Sequence, residues 1–80
     1  MSKVTVYTKN GCPKCDMTKA VLKGEGIEFD LINIEDDTDK GREGYRFVVE
    51  ELEFRTMPVV VAEGVEPFFD FQPEKLKALK

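Results

Sequence analysis

The sequence contains no histidine, and its only cysteines among 80 residues are Cys12 and Cys15. Without histidine, the chain lacks the usual general base near neutral pH and the commonest metal ligand. A zinc site needs four nitrogen or sulfur ligands, so this pair could complete a zinc or iron–sulfur site only if two chains shared it or carboxylates helped. These absences make the cysteine pair the main candidate for chemistry.

Long apolar runs are also missing. No stretch approaches the roughly 18 residues that a membrane-spanning helix requires. The N-terminal residues Met1–Lys3 and the alternating segment Val4–Tyr7 show neither the apolar core nor the cleavage site of a signal peptide. We therefore predict a cytoplasmic protein that does not bind a membrane. In that compartment thiols stay reduced, and a close cysteine pair is more often catalytic or metal-binding than structural.

The composition is that of a folded domain, with 41% hydrophobic and 35% charged residues. A chain of this length can bury about 60% of its surface around one core, so we predict a single domain over residues 1–80. The net charge of −4 and the pI near 4.8 oppose binding to a phosphate backbone. We expect a monomer that does not bind nucleic acid.

Hydrophobic periodicity predicts four strands and three helices in the order βαβαββα, which implies an α/β fold with a mixed sheet and helices on both faces. The predicted strands are 4–7, 27–34, 59–62 and 65–70. The predicted helices cover about 13–23, the stripe of Tyr45, Val48, Val49 and Leu52, and 73–79.

Two of these elements carry further expectations. The strand at 27–34 alternates and then becomes richer in apolar residues, which is typical of a strand near the middle of a sheet. Gly41 and Gly44 each weaken the start of the second helix by about 1 kcal/mol relative to alanine. The beginning of that helix is therefore the least defined boundary in the sequence.

The segment Cys12-Pro13-Lys14-Cys15 lies between a strand and a helix, which is the sequence signal of a thioredoxin-like redox site. At a helix N-terminus, free backbone N–H groups and the helix dipole favour a thiolate at Cys12. Lys9 and Lys14 can add positive charge, screened by solvent. Cys15 lies one turn later and is more shielded. We predict that Cys12 attacks a substrate disulfide and that Cys15 resolves the mixed disulfide.

Three other interpretations stay open at this stage. Two chains could share a metal or an iron–sulfur cluster through their cysteines. The pair could form a structural disulfide, although so short a loop would constrain the unfolded chain very little. The chain could also be an interaction domain that keeps only the fold. Redox exchange is the favoured hypothesis, with no metal bound.

Two motifs then resemble those of the glutaredoxins. They are Tyr7-Thr8-Lys9 followed by Cys12-Pro13-x-Cys15, and Arg55-Thr56-Met57-Pro58-Val59, in a similarity that runs from Val4 to Leu79. The resemblance implies a thioredoxin-fold disulfide oxidoreductase with no bound cofactor. It also implies a cis Met57–Pro58 bond against the cysteines, with Thr56, Met57 and Pro58 positioning an extended substrate.

The resemblance also bears on the reductant. Glutathione-using glutaredoxins carry a Gly-Gly-Asp type segment after the fourth strand, and the corresponding stretch here, 68–74, lacks the glycine pair. Phe71-x-Pro73-Glu74 is similar to the NrdH-redoxins, which pass electrons from thioredoxin reductase to ribonucleotide reductase. This similarity implies NADPH and thioredoxin reductase as the electron source and ribonucleotide reductase as a client. The alternative is a glutathione-dependent glutaredoxin.

Some features depart from the NrdH-redoxin pattern. Pro13 and Thr56 are glutaredoxin-like, the acidic segment 36–44 is longer than expected, and Asp70 replaces the glycine of the usual Trp-Ser-Gly-Phe run. The resemblance makes Lys9, Asp70 and Phe71 candidate contacts to glutathione or to a protein client. We expect most of the phenylalanines at 68, 69 and 71 to be core residues and one to be exposed for docking.

Overall fold

Runs rich in valine, isoleucine and phenylalanine form the strands, and the amphipathic segments between them form the helices. The computed structural model describes residues 4–79. The elements are β1 (Val4–Thr8), α1 (Pro13–Gly24), β2 (Asp30–Asn33), α2 (Asp39–Tyr45), β3 (Val59–Ala62), β4 (Val65–Phe69) and α3 (Pro73–Lys77). None of the helices in this part of the chain has the length and apolarity needed to span a bilayer. The segment Met1–Lys3, used above to predict the absence of a signal peptide, lies outside the described residues.

The four strands form one mixed sheet in the order β2-β1-β3-β4. In β1, Val6 lies opposite Leu31 of the parallel strand β2 and opposite Val60 of the antiparallel strand β3. In turn, Val60 lies opposite Phe68 of β4, which is antiparallel to β3. The predicted four-stranded α/β architecture and its order are confirmed.

The predicted position of the second strand is wrong. Strand β2 covers Asp30–Asn33 instead of 27–34, and it lies at an edge of the sheet with Leu31 exposed. Ile27 and Phe29 precede the strand and pack, partly buried, against the core from the loop that follows α1. Burial of this loop accounts for the apolar residues at 27 and 29. Of those that follow, Ile32 and Ile34 are partly buried and Leu31 is exposed, as an edge position allows.

The sheet is covered on both faces, as predicted. On one face, Leu22 of α1 and Leu76 of α3 join Val6, Val60 and Phe68 in a buried cluster. The opposite face carries a second cluster, which contains Val48, Met57, Val59 and both cysteines. The cysteine pair is therefore part of a packed layer, which limits the motion of its side chains.

Helix α2 begins at a defined residue despite its two glycines. The Thr38 hydroxyl accepts a hydrogen bond from the Gly41 N–H at 3.0 Å and caps the helix. Gly41 and Gly44 are both buried. A Cβ atom at Gly41 would overlap the Asp36 carbonyl oxygen, and one at Gly44 would lie 2.9 Å from Cγ2 of Ile32. The glycines allow α2 to approach β2 and the loop after it, which offsets their low helix propensity.

Helix α2 continues into a π-helical segment, Arg46–Glu51. Its wider turn is visible where the Leu52 N–H donates to the Phe47 carbonyl oxygen at 2.9 Å. Glu53 then adopts a left-handed conformation with a φ of 60°. This turn directs the following chain, Arg55–Met57, towards the end of the sheet where α1 begins.

Candidate active site

The cysteine motif is placed by a tight turn after β1. Gly11 has a φ of 63°, a conformation that glycine adopts without strain. Cys12 follows as the N-cap of α1 with extended backbone angles, and the Cys15 N–H donates to its Sγ at 3.1 Å. A sulfur at this position faces the positive end of a twelve-residue helix. The local geometry therefore favours negative charge on Cys12.

Cys12 and Cys15 are joined in a disulfide, with their Cα atoms 5.2 Å apart. Cys12 is 8% exposed and Cys15 is 1% exposed. This order of exposure agrees with the predicted order of roles, since the attacking sulfur must be reached by a client and the resolving sulfur need only reach Cys12. The assignment of the roles themselves stays a prediction.

The loop that precedes β3 lies at the same end of the sheet and faces the disulfide. The Met57–Pro58 peptide bond is cis, as the resemblance implied. The carbonyl oxygen of Met57 lies 3.8 Å from the Sγ of Cys12. The next carbonyl, that of Pro58, accepts a hydrogen bond from the Asp70 N–H at 2.9 Å. The main chain at Met57 therefore borders the reactive sulfur, while Pro58 is buried and tied to the segment after β4.

Lys14, between the two cysteines, is paired with a carboxylate. Its Nζ lies 2.8 Å from Oδ1 of Asp70, and both side chains are about half exposed. The hydrogen bond from Lys14 and a second one from the Phe71 N–H lower the pKa of the Asp70 carboxyl below its usual value. Asp70 has a φ of 71°, a left-handed conformation that aspartate tolerates better than most residues. The positive charge of Lys14 is thus shared with Asp70 instead of acting on Cys12 alone.

A groove of about 510 Å³ opens beside Cys12. It is lined by Lys9, Gly11, Cys12, Pro13, Lys14, Met17, Arg55, Thr56 and Met57. The structure thus brings together four predicted site residues, namely Lys9, Cys12, Thr56 and Met57. We call this cavity the Lys9–Arg55 groove.

The remaining predicted residues lie apart from the Lys9–Arg55 groove. Cys15 lines a second groove of about 470 Å³ on another side of Cys12. Pro58 is buried beneath Met57. Asp70 does not line the Lys9–Arg55 groove, although it forms an ion pair with the lining residue Lys14. Phe71 is partly buried and packs against the core, a position that does not favour direct contact with glutathione or a client.

The phenylalanines after β3 divide as predicted between core and surface. Phe68 is 5% exposed and belongs to the core. Phe69 is 43% exposed, and its ring centroid lies 5.0 Å from that of Phe54. The exposed member of the three is therefore Phe69, whose ring is tilted against that of Phe54.

Sequence analysis missed a polar network that ties the active-site turn to the end of β2. The Asn10 N–H donates to the Glu35 carboxylate at 2.7 Å, and the Asn33 amide donates to the Asn10 side-chain oxygen at 2.8 Å. Asparagine in a turn before the motif was the available signal, since its side chain readily bonds nearby backbone or polar groups. The partners became identifiable only once β1 and β2 were paired. Met17 and Arg55 in the Lys9–Arg55 groove were missed for a similar reason.

The described residues offer few side chains that are arranged to bind a metal ion. Over residues 4–79, no group of three or more histidine, cysteine, aspartate or glutamate side chains is placed to hold a metal ion. Both sulfur atoms are engaged with each other in the disulfide. The observed arrangement is suited to accepting and releasing two electrons through the Cys12–Cys15 bond.

A mixed four-stranded sheet, a disulfide at the start of a helix and a cis-proline loop opposite it define a thioredoxin-fold thiol–disulfide oxidoreductase. A family model described as Glutaredoxin matches residues 4–66. The chain belongs to the glutaredoxin family.

The similar proteins include the glutaredoxin-like protein NrdH of Lactococcus lactis, which is 38% identical over 78 residues, covering 95% of this chain and 97% of that protein. The Gene 56 protein of Mycobacterium phage L5 is 37% identical over 76 residues, covering 95% of this chain and 70% of that protein. Among solved structures, the glutaredoxin-like protein NrdH-redoxin of Escherichia coli matches with a TM-score of 0.81 and 30% identity, covering 96% of this chain and 93% of that one. The predicted NrdH-redoxin branch of the family is confirmed by these similarities.

Proposed function

We propose that this protein is a dithiol electron carrier that reduces disulfides in protein clients and is recharged by thioredoxin reductase. The observation that carries the proposal is the engagement of Asp70. Its carboxylate is bonded to Lys14 and to the Phe71 N–H, and its own N–H is bonded to Pro58. In glutathione-using glutaredoxins an acid and backbone groups of the corresponding segment hold glutathione, whereas here the carboxylate and the N–H of Asp70 already have partners within the chain.

The reaction exchanges one disulfide for another. The Cys12 thiolate attacks one sulfur of the client disulfide, and the other client sulfur leaves as a thiolate that takes up a proton. The Cys15 thiolate then attacks the Sγ of Cys12 and releases the second client thiolate, which is also protonated. The client gains two electrons and two protons, and the protein is left with the Cys12–Cys15 disulfide. Met57 would position the client through its main chain next to Cys12.

The Cys12–Cys15 disulfide must then be reduced by a second dithiol. Thioredoxin reductase provides this dithiol and takes the electrons from NADPH. The related Escherichia coli protein is described as having a thioredoxin-like activity profile, which supports this donor over glutathione. The resemblance to the NrdH-redoxins also makes ribonucleotide reductase the client that we propose. A carrier of this kind needs a compartment that keeps thiols reduced, and the cytoplasm meets that need.

Two coupled assays test the choice of donor. The protein is supplied with a disulfide client and either NADPH with thioredoxin reductase, or NADPH, glutathione and glutathione reductase, while NADPH oxidation is followed. We expect faster turnover with thioredoxin reductase, by about tenfold or more, which corresponds to about 1.4 kcal/mol in the transition state. Faster turnover with glutathione would instead identify a conventional glutaredoxin. The Cys12→Ser variant gives the background rate in both assays.

A further inference from the structure

The Lys9–Arg55 groove concentrates positive charge in an otherwise acidic protein. Three of its lining residues are cationic, and none is aspartate or glutamate. The chain as a whole has 16 acidic and 12 basic residues. The groove beside Cys12 is therefore cationic although the net charge of the molecule is negative. This difference indicates that the groove favours negatively charged ligands.

Much of this charge is available to a partner. Lys14 is paired with Asp70, but no carboxylate within residues 4–79 lies within 4.0 Å of the Lys9 ammonium or the Arg55 guanidinium. Both side chains are exposed. Lys9 precedes Cys12 and Arg55 precedes Met57, so the two cations lie on the two loops that border the reactive sulfur. A segment bound across Cys12 would pass near both.

Part of the lining of the Lys9–Arg55 groove is apolar. Met17 is 43% exposed there, and Pro13 and Met57 complete the apolar lining. The second groove at Cys12 differs, because it contains Asp16 and Asp36 as well as Lys9 and Lys19. Of the two grooves at Cys12, the Lys9–Arg55 groove is thus the one that combines apolar lining residues with charges of a single sign.

We infer that the client of this protein is an extended protein segment in which acidic side chains flank the disulfide cysteine, with an apolar residue beside them. Carboxylates on the segment pair with Lys9 and Arg55, and the apolar side chain rests on Met17. This inference rests on the proposed disulfide reductase function and specifies its substrate class. Because the pairs are exposed, they chiefly accelerate and orient the encounter, and salt weakens them.

Single-turnover reactions test this specificity without a reductase. The pre-reduced protein is mixed with three synthetic peptides that carry the same internal disulfide and the same apolar residue, with flanks of Asp and Glu, of Asn and Gln, or of Lys. The second-order rate constant for peptide reduction is measured at low and high salt. We expect the acidic peptide to react about fivefold faster than the neutral one at low salt, and the lysine peptide to react slowest. The ratio should fall towards one at about 0.5 M salt.

Charge-matched variants test whether Lys9 and Arg55 cause the preference for the acidic peptide. The double variant Lys9→Gln, Arg55→Gln should lose most of the preference for the acidic peptide over the neutral one. The control Lys23→Gln, Lys77→Gln removes the same net charge from exposed positions outside the Lys9–Arg55 groove and should keep the preference. The result for each variant is the ratio of the rate constants for the acidic and the neutral peptide. This ratio cancels any general change in thiol reactivity.

The remaining outcomes separate the two hypotheses. Equal rates for the three peptides would overturn the acidic-client inference and leave the reductase function standing. Equal loss of preference in both double variants would overturn the assignment to the Lys9–Arg55 groove. A fourth substrate, a peptide in mixed disulfide with glutathione, is measured in the same way. Faster reaction with it than with the acidic peptide would overturn a protein segment as the occupant. Failure to reduce any peptide would overturn the proposed function, and the inference with it.

Discussion

At the scale of single residues, the environments of the two cysteines differ in ways that suit two roles. Cys12 caps α1, accepts a hydrogen bond from the Cys15 N–H and borders the Lys9–Arg55 groove. Cys15, in contrast, is almost fully buried. An N–H donor at 3.1 Å stabilises charge on the Cys12 sulfur, since hydrogen bonds to ionised groups are about twice as strong as neutral ones. The asymmetry comes from the position in the helix and not from the residue type.

Substitution of each cysteine should therefore give a different result. Cys12→Ser should abolish disulfide reduction, because no thiolate remains at the accessible position. Cys15→Ser should retain the first attack and accumulate the mixed disulfide with the client, which mass spectrometry would detect as a covalent adduct. A Cys12→Ser protein that still reduced disulfides, or adducts formed through Cys15, would show that the roles are reversed.

The Lys14–Asp70 pair should make the free energy of unfolding depend on pH in the acidic range. The pKa of Asp70 is lowered by the Lys14 hydrogen bond and by the Phe71 N–H, while in the unfolded chain it returns to about 3.9. The stabilisation is therefore complete above about pH 3.9 and is lost as the pH falls through the lower folded-state value. We expect the Asp70→Asn variant to be less stable than the parent at pH 7, with the difference shrinking below pH 3.9.

Urea unfolding at several pH values measures this difference. Asparagine keeps the side-chain acceptor for the Phe71 N–H and tolerates the left-handed backbone, so the variant removes mainly the charge. Repeating the substitution in a Lys14→Gln background should reduce its effect, as expected of a coupled pair. A difference that is independent of pH and of Lys14 would contradict the ion-pair explanation.

At the scale of secondary-structure elements, close approach explains the composition of α2. Gly41 and Gly44 lower the intrinsic helix propensity, yet their missing Cβ atoms let the helix contact Asp36 and the β2 side chain Ile32. Propensity predicts the cost of a glycine in isolation, and only packing shows its benefit. The chain continues from α2 into the π-helical segment Arg46–Glu51, whose Val48 is buried in the cluster that contains the cysteines.

The Gly41→Ala variant should destabilise the protein by about 1–3 kcal/mol, although alanine is the better helix former. The added Cβ would meet backbone atoms, the carbonyl oxygens of Asp36 and Asn33, and backbone yields less easily than a side chain. Gly24→Ala is the matched control, since a Cβ there meets nothing within 4 Å. The control should be neutral or more stable by up to about 1 kcal/mol. Denaturant midpoints that rank the variants in the opposite order would contradict this explanation.

At the scale of the whole molecule, the fold brings together segments that are far apart in sequence. Met57 is 45 residues from Cys12, yet its carbonyl oxygen lies 3.8 Å from the Cys12 sulfur. This contact depends on the antiparallel pairing of β1 with β3, because the two loops leave the same end of the sheet. The active site is therefore a property of strand order as much as of the cysteine motif.

The oxidised and reduced protein should both sediment as a monomer of about 9.1 kDa. A redox carrier needs only one chain, whereas a cysteine-bridged metal or iron–sulfur site would require a dimer. Sedimentation, metal content and thiol titration on the same sample distinguish these cases. We expect a colourless, metal-free monomer that releases two thiols on reduction. A coloured or metal-containing dimer would favour the cluster-binding alternative.

The cysteine spacing, the Met57-Pro58 motif and the order of the elements were determined by the sequence itself. Local patterns suffice for these features because helix and strand periodicities are short-range, and because a C-x-x-C motif carries its second thiol within one turn. Most element boundaries agree with prediction to within two residues, as for α1 at Pro13–Gly24 and α3 at Pro73–Lys77.

Only the tertiary structure decided which groups meet across the sheet. In the structure, β2 lies at an edge of the sheet, and Gly41 and Gly44 are positions of close packing. Lys14 forms an ion pair with Asp70, and Arg55 lines the same groove as Lys9. None of these follows from a local pattern, since each depends on how one element or loop packs against another. Hydrophobic periodicity reports that a residue is buried, whereas strand order and the path of the loops determine what it is buried against.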